Sequence, residues 1–406
     1  MERQILHVDV NNAFLSWTAV NMLKNGYKID IRNIPAVIGG DEETRRGIVL
    51  AKSNIAKAVG VKTGETLYSA RKKCANLQVF PSNHKMYAEY SEKMYKLLLE
   101  YTDEIERFSV DECFLDLTHF IRDGETLLGK ASEISKRIKE ELGFTVNVGV
   151  STNKLLAKMA SDFEKPDKIH TLYPNEIEKK MWPLDIGDLF MVGRKSVPKF
   201  NVMGIFTIGD LARADKFFIS KRFGKFGKMV WEYANGIDDS EVHFEREKPK
   251  GIGNSITLPY DISNIEKLYE VLLALCEQVC YRLRKVNMFA ETVSVQIKTK
   301  NFEVFSKQKK LDFETDSTIE IYKVAKILLA ELKMNYFIRL VGVRVDNLVE
   351  KESMQTSLFI QNTETKQNKL DKVVDMLKEK YGYNLVTRAS KINVDDILNC
   401  RTNKDE

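Results

Sequence analysis

The sequence predicts a multidomain α+β protein, and three observations predict it. Its 406 residues exceed one compact domain of ordinary size and set an expectation of two to four. Over residues 1–165, short apolar strand patterns interleave with amphipathic helical ones, as in a sheet with helices on one face. From Pro166 onward, with Pro174 and Pro183 following, the pattern is helical, and strands resume only in the last part of the chain.

Each element follows from its pattern. QILHVDV (4–10) reads as a short buried strand, and Phe14, Trp17 and Val20 mark the helix after it. PAVIGG (35–40) and GIVLAKS (47–53) read as two strands of a small second unit, followed by the helix NIAKAVG. Residues 84–101 form a long amphipathic helix, and IERFSVDECFLDLT reads as two strands around a turn at Ser109–Glu112. Residues 126–142 are helical, TVNVGVS (145–151) alternates as a strand, and KLLAKMASDF is helical. The charged segment 236–252, with Pro249 and two glycines, reads as a linker. Residues 253–346 read as helix, strand, strand, helix, strand. In the polar tail beyond, Leu370, Val373, Val374, Leu377 and Tyr381 share a helix face.

Composition narrows the class. With 43% hydrophobic residues the chain builds real cores, and a net charge of +5 permits nucleic-acid binding without arguing for it. The five cysteines include no CxxC pair. Cys276 and Cys280 lie four apart in an apolar helical run and read as core, in keeping with a reducing compartment. The five histidines lack ligand spacing, which argues against structural zinc. Neither a signal-peptide pattern nor an apolar run of about 18 residues is present, so the expectation is a cytoplasmic protein with no membrane span.

The chemistry lies in the carboxylates. Asp9 ends a buried strand, and Asp111 and Glu112 sit at a strand turn. Carboxylates are costly there unless something neutralises them. Hard divalent cations do so through oxygen ligands, and three carboxylates on neighbouring strand ends suit two Mg²⁺ ions about 3.5–4 Å apart. The backbone carbonyl of Val10 adds a ligand. Such a site suits in-line phosphoryl transfer. Taken singly, each acid is as readily a turn cap or a partner for a surface lysine.

The strings VDVNNAF, SVDECFLD and GVSTNKLLAKMASDFEKPDKI, in that order, resemble the Y-family DNA polymerases, with the bacterial DNA polymerase IV group closest. The resemblance covers roughly residues 3–347 and implies a low-fidelity, lesion-bypassing, template-directed polymerase; no separate block with its own acidic motif is left for a proofreading exonuclease, so none is expected. It implies a palm (1–17 and 77–165), fingers (18–76), a thumb (166–235), a linker (236–252), a little finger (253–347) and a tail (348–406). It makes Asp9, Asp111 and Glu112 the metal ligands and Phe14 the ring under the incoming sugar, which excludes a 2′-hydroxyl by sterics. Lys165, before Pro166, becomes the palm lysine that meets the triphosphate. The fingers depart from the family pattern: Ala51, Asn54 and Lys57 stand where Thr, Tyr and Arg are common. Lys57 keeps the charge without the bidentate fork, and Asn54 keeps a donor.

The resemblance also implies DNA contacts. Residues 185–205 look like a thumb helix-hairpin-helix, with Gly193 in the turn, Lys195 and Lys199 adding charge, and Met191 where a glycine is common. In ETVSVQIKTK, Val293, Val295 and Ile297 face one side and Ser294, Gln296, Lys298 and Lys300 the other. With Lys307, Lys309 and Lys310 these make a basic sheet face suited to phosphates. MQTSLF (354–359) resembles a peptide that bacterial polymerases insert into the sliding clamp, through Gln355, Leu358 and Phe359. The implied partners are primer-template DNA, deoxynucleoside triphosphates and the clamp, met by a monomer. Two rival readings are a nucleotidyl cyclase or transferase on a similar palm, and a clamp-docked DNA-binding factor with a decayed site.

Overall fold

The string ILHVDV forms β1 (Ile5–Val10), and all six residues are buried in the computed structural model. The structure describes residues 2–41, 45, 47–122, 124–244, 248–332, 336–350 and 366–382. They fall into two units. One is Met1–Ile38, Val49–Glu65 and Ser69–Arg246; the other is Gly39–Ile48, Thr66–Tyr68 and Glu247–Glu406. After β1 the chain runs through α1 (Ala13–Lys24), β2 (Ala36–Gly39), β3 (Val49–Lys52), α2 (Asn54–Ala58), α3 (Leu67–Lys73), β4 (Gln78–Pro81), α4 (His84–Leu98), β5 (Ile105–Arg107) and β6 (Glu112–Asp116). Next come α5 (Leu127–Arg137), β7 (Val146–Ser151), α6 (Lys154–Ser161), β8 (Ile169–Thr171), α7 (Ile177–Lys180), α8 (Val197–Asn201), α9 (Ile208–Arg213) and α10 (Lys216–Ala234). The last elements are β9 (Gly251–Ile262), α11 (Ile265–Lys285), β10 (Met288–Thr299), β11 (Val304–Thr315), α12 (Thr318–Glu331), β12 (Ile338–Glu350) and α13 (Lys366–Tyr381).

The first unit centres on a five-stranded sheet, β5-β6-β1-β7-β8. Its fifth strand, β8, pairs parallel to β7 and lies past residue 165, where the composition changes. Strand alternation sends Leu6, Val8 and Val10 into a core with Met86, Tyr87 and Met94 of α4 and Ile134 of α5. The other face is covered as well: Ile5 and Phe114 meet Ala157 of α6. The expectation of helices on one face is therefore corrected to helices on both. Gly149 is the reason. A Cβ there would stand 1.8 Å from the Ala157 carbonyl oxygen, so only glycine lets α6 lie so close to β7. The far side of α6 packs Leu155, Leu156 and Met159 against Phe200, Leu211 and Val230 of the following helical layer.

The second unit carries a four-stranded sheet, β11-β10-β12-β9, with α11 and α12 against one face. Cys276 and Cys280 are fully buried in that core, as expected. Three expectations change here. The last unit, read as opening on a helix after a linker ending at residue 252, instead opens on edge strand β9. Its Pro259 is tolerated because an edge strand has a side that needs no ladder partner. Second, the basic sheet face is less charged than expected, keeping Lys298, Lys310 (opposite Thr292) and Arg344 (opposite Ser294). Lys307 and Lys309 pair with Val295 and Val293, so they stand on the helix side, and Lys307 meets Glu331 at 3.1 Å. Ser255, Ser294, Gln296, Ser306, Gln308 and Arg344 line the open face, a groove of about 670 Å³. Lys298 shares that face by alternation, and Lys300 lies in the turn after β10.

Third, α13 is reversed. Its apolar residues do share a face, but Leu370, Val373, Leu377 and Tyr381 are exposed, whereas Asp371 and Lys378 are buried. Arg284 of α11 meets Asp375 at 2.5 Å and Asp371 at 3.6 Å, and Lys378 meets Glu277 at 3.2 Å. Asp371 also accepts from the Thr318 amide at the start of α12, at 3.0 Å. The helix docks through its charges, because matched buried ions leave no charge unpaired.

Candidate active site

Asp9 and Glu112 are register partners across β1 and β6, and the Val10 amide donates to the Asp111 carbonyl at 3.1 Å. The ladder thus brings all three expected acids to one sheet end. Asp9 and Glu112 point to the α6 face and Asp9 is buried. Asp111 is turned to its own loop, where its Oδ1 accepts from the Ser109 hydroxyl at 2.6 Å. Among the described residues, no three His, Cys, Asp or Glu side chains close into a metal cage.

Two lysines hold these acids. Lys158, on α6, donates to Glu112 Oε1 at 2.8 Å and lies 3.5 Å from Asp162. Lys165, on the extended segment after α6, donates to Asp9 Oδ2 and meets Asp162 at 2.8 Å. Burial pushes the Asp9 carboxyl up to about 6, and the opposing pull of Lys165 is the smaller effect. Burial works against the Lys165 charge, but Asp9 and Asp162 more than offset it and hold its pKa above the usual value. Three carboxylates (Asp9, Glu112, Asp162) thus face two amines, with Asp111 in the adjoining turn. The excess of hard oxygen donors over positive charge fits divalent cations.

His7, which motif reading passed over, forms the floor. It is fully buried, its Nδ1 shares a 2.7 Å hydrogen bond with Ser161 Oγ, and its ring lies 4.5 Å from Phe114. Burial, with Lys158 and Lys165 nearby, lowers its pKa well below the usual value, so it stays neutral. The signal was its place in HVDV, two residues before Asp9 on the same strand face.

Phe14 opens α1. The turn before it is made by Asn12, whose φ of 48° asparagine tolerates. The Phe14 ring is half-buried and stacks on Tyr87 at 4.5 Å and 10°, which fixes its plane. In the fingers segment Ser53 caps α2 through the Ala56 amide, leaving Asn54 and Lys57 exposed on its surface. Ala51 packs into the core with Leu15 and Ile38, so it offers a substrate nothing. Lys52 went unnoticed in the sequence. Burial and the like charge of Lys57 lower its pKa, so two amines share this edge.

In residues 185–205 the tight turn falls on Met191, with a φ of 74°, and not on Gly193, whose φ is not left-handed. Gly193 instead accepts from the Ser196 and Val197 amides at the start of α8. Lys195 and Lys199 are exposed beside it. Gln355, Leu358 and Phe359 lie outside the described residues. No described helix is long and apolar enough to cross a membrane.

Comparison with known proteins agrees with this arrangement. Residues 8–162 match the model of the impB/mucB/samB family and residues 249–358 that of its C-terminal domain. A DNA polymerase IV of Clostridium acetobutylicum is 50% identical over 96% of this chain and 98% of its own length. Among solved structures, a Y-family DNA polymerase chimera built on Dbh aligns with a TM-score of 0.75 at 26% identity, covering 86% of this chain and 99% of its own. An insertion ternary complex of Dbh DNA polymerase aligns with a TM-score of 0.59 at 27% identity over the same shares. The fold and site define a DNA-directed DNA polymerase, with palm, fingers, thumb and little finger. Within that class the chain belongs to the impB/mucB/samB family, as a Y-family enzyme of the DNA polymerase IV kind.

Proposed function

We propose that this polymerase extends a primer 3′ end along a template, past damaged bases and with low fidelity, by two-metal phosphoryl transfer. The observation that carries the reading is the cross-strand pair Asp9 and Glu112, with Asp111 beside them and two lysines as the countercharge. Asp9, Asp111, Glu112 and the Val10 carbonyl would hold two Mg²⁺ ions. When bound, these ions supply charge neutralisation at the triphosphate and acidify the primer hydroxyl. Phe14, its plane fixed by Tyr87, excludes a 2′-hydroxyl from the space above it. Lys165 turns from Asp9 to the incoming triphosphate, and Lys57, Asn54 and Lys52 face the same anion from the fingers.

Lys195 and the backbone of the Met191–Gly193 turn grip phosphates in the thumb, and Lys298 and Lys300 do so in the little finger. Residues 1–17 with 77–165, 18–76, 166–235 and 253–347 serve as palm, fingers, thumb and little finger. We assign Gln355, Leu358 and Phe359 to the sliding clamp and read the enzyme as a cytoplasmic monomer. The test is primer extension with Mg²⁺, comparing wild type with Asp111→Ala/Glu112→Ala. Extension by wild type and loss of at least 10³-fold in the variant is expected; a variant that extends at the wild-type rate refutes the site.

A further inference from the structure

The segment between α6 and β8 carries Lys165 but makes little regular structure of its own. Two buried amides bind it instead. Asn147, on β7 and fully buried, donates to the Ser161 carbonyl at 3.0 Å and the Glu164 carbonyl at 2.7 Å, and accepts from the Lys168 amide at 3.2 Å. Its remaining acceptor position takes the Asn11 amide group at 3.0 Å. Asn11 Oδ1 in turn accepts from the Asp167 amide and the Thr145 hydroxyl, each at 2.9 Å. All four hydrogen-bonding positions of Asn147 are therefore used. The two side chains hold residues 161, 164, 167 and 168, on both sides of Lys165, and neither hydrogen-bonds to the acids, although Asn147 stands across the ladder from Asp9.

We infer that Asn147, bridged to Asn11, is a positioning residue for the triphosphate lysine: it sets where the Lys165 amine stands without meeting the substrate itself. The inference rests on the reading of Lys165 as the triphosphate contact. An apolar residue on this strand face would pack under α6 equally well, so packing alone gives no reason for an amide. The demand for an amide comes from the three backbone groups of the segment, which are costly to bury unpaired. Asn147 stands two strand positions before Gly149, so the face that admits α6 also anchors the segment leaving it.

The test is a double-mutant cycle in single-nucleotide primer extension, with Lys165→Ala, Asn147→Ala and the double variant. Thermal melts verify that each is folded, and Asn147→Ser, which keeps one donor and one acceptor, serves as the milder variant. Both single variants are expected to raise the KM for nucleotide about tenfold while changing kcat less, and the double variant to match Lys165→Ala. Asn147→Ser falls between wild type and Asn147→Ala. If Lys165→Ala raises KM but Asn147→Ala leaves it unchanged, or multiplies with it in the double variant, Asn147 is merely structural and the inference falls. If Lys165→Ala leaves KM unchanged, the role of Lys165 itself falls.

Discussion

Gly149→Ala adds one methyl group, and the structure indicates how much that costs. The new Cβ would stand 1.8 Å from the Ala157 oxygen, 2.6 Å from the Ser161 nitrogen and 2.9 Å from the Ala157 carbonyl carbon. All three are backbone atoms, so no side chain can swing away, and α6 must retreat by roughly 1 Å or more. Its far side is already packed on Phe200, Leu211 and Val230, so the retreat meets a second core. Overpacking of this kind costs about 1–3 kcal/mol, and the absence of any yielding neighbour puts this site near the upper end. Alanine also restricts the unfolded chain, a gain below ~1 kcal/mol that the clash outweighs. At about 2–4 °C per kcal/mol for a domain of this size, the first unit should melt on the order of 6–12 °C lower. Because α6 carries Lys158 and leads into Lys165, primer extension at 20 °C should fall further than the folded fraction does. A variant that melts within a degree of wild type and extends normally would refute the close approach of α6 to the sheet.

Two other perturbations read different features. Met191 holds a φ of 74°, which strains an L-residue by roughly 1–2 kcal/mol, so Met191→Gly should gain about 0.5–1 kcal/mol after the entropy cost of glycine; a lower urea midpoint would contradict this. Arg284→Met strands Asp371 and Asp375 in a site where the arginine side chain is only 10% exposed. A loss of about 3–5 kcal/mol of docking energy is expected. It should show as faster amide exchange over residues 366–381, and unchanged exchange there would mean the ion cluster does not hold α13.

Much of the fold was legible in the sequence, because burial and alternation agree in β1, β6 and β10, and the acids sit where a strand ladder must bring them together. The rest was hidden for identifiable physical reasons. Gly251 and Gly253 looked like residues at a linker's end, yet they are glycines because a Cβ at Gly253 would stand 2.9 Å from the Arg344 Cβ and one at Gly251 2.2 Å from Asp346 Oδ1. A missing side chain reads the same in sequence whether it gives freedom or permits contact. Lys307 and Lys309 were placed on the wrong face because β11 is an edge strand with both sides exposed, where no hydrophobic pattern marks the register. Edge strands carry such charge to discourage pairing with another sheet. At the site, Asp9, Phe14 and Lys165 were legible from motifs. His7, Lys52 and Asn147 were not, since their roles depend on what lies above them in space.

The reversed polarity of α13 has a practical consequence for anyone handling this enzyme. Its polar hold on α11 runs through residues 371, 375, 378 and 379, while Leu370, Val373, Leu377 and Tyr381 form an exposed stripe about 17 Å long. The two faces can therefore be engineered independently. Charges placed on the stripe would make the protein less sticky without loosening the helix, whereas a substitution that looks conservative on the charged face, such as aspartate to asparagine, would release it.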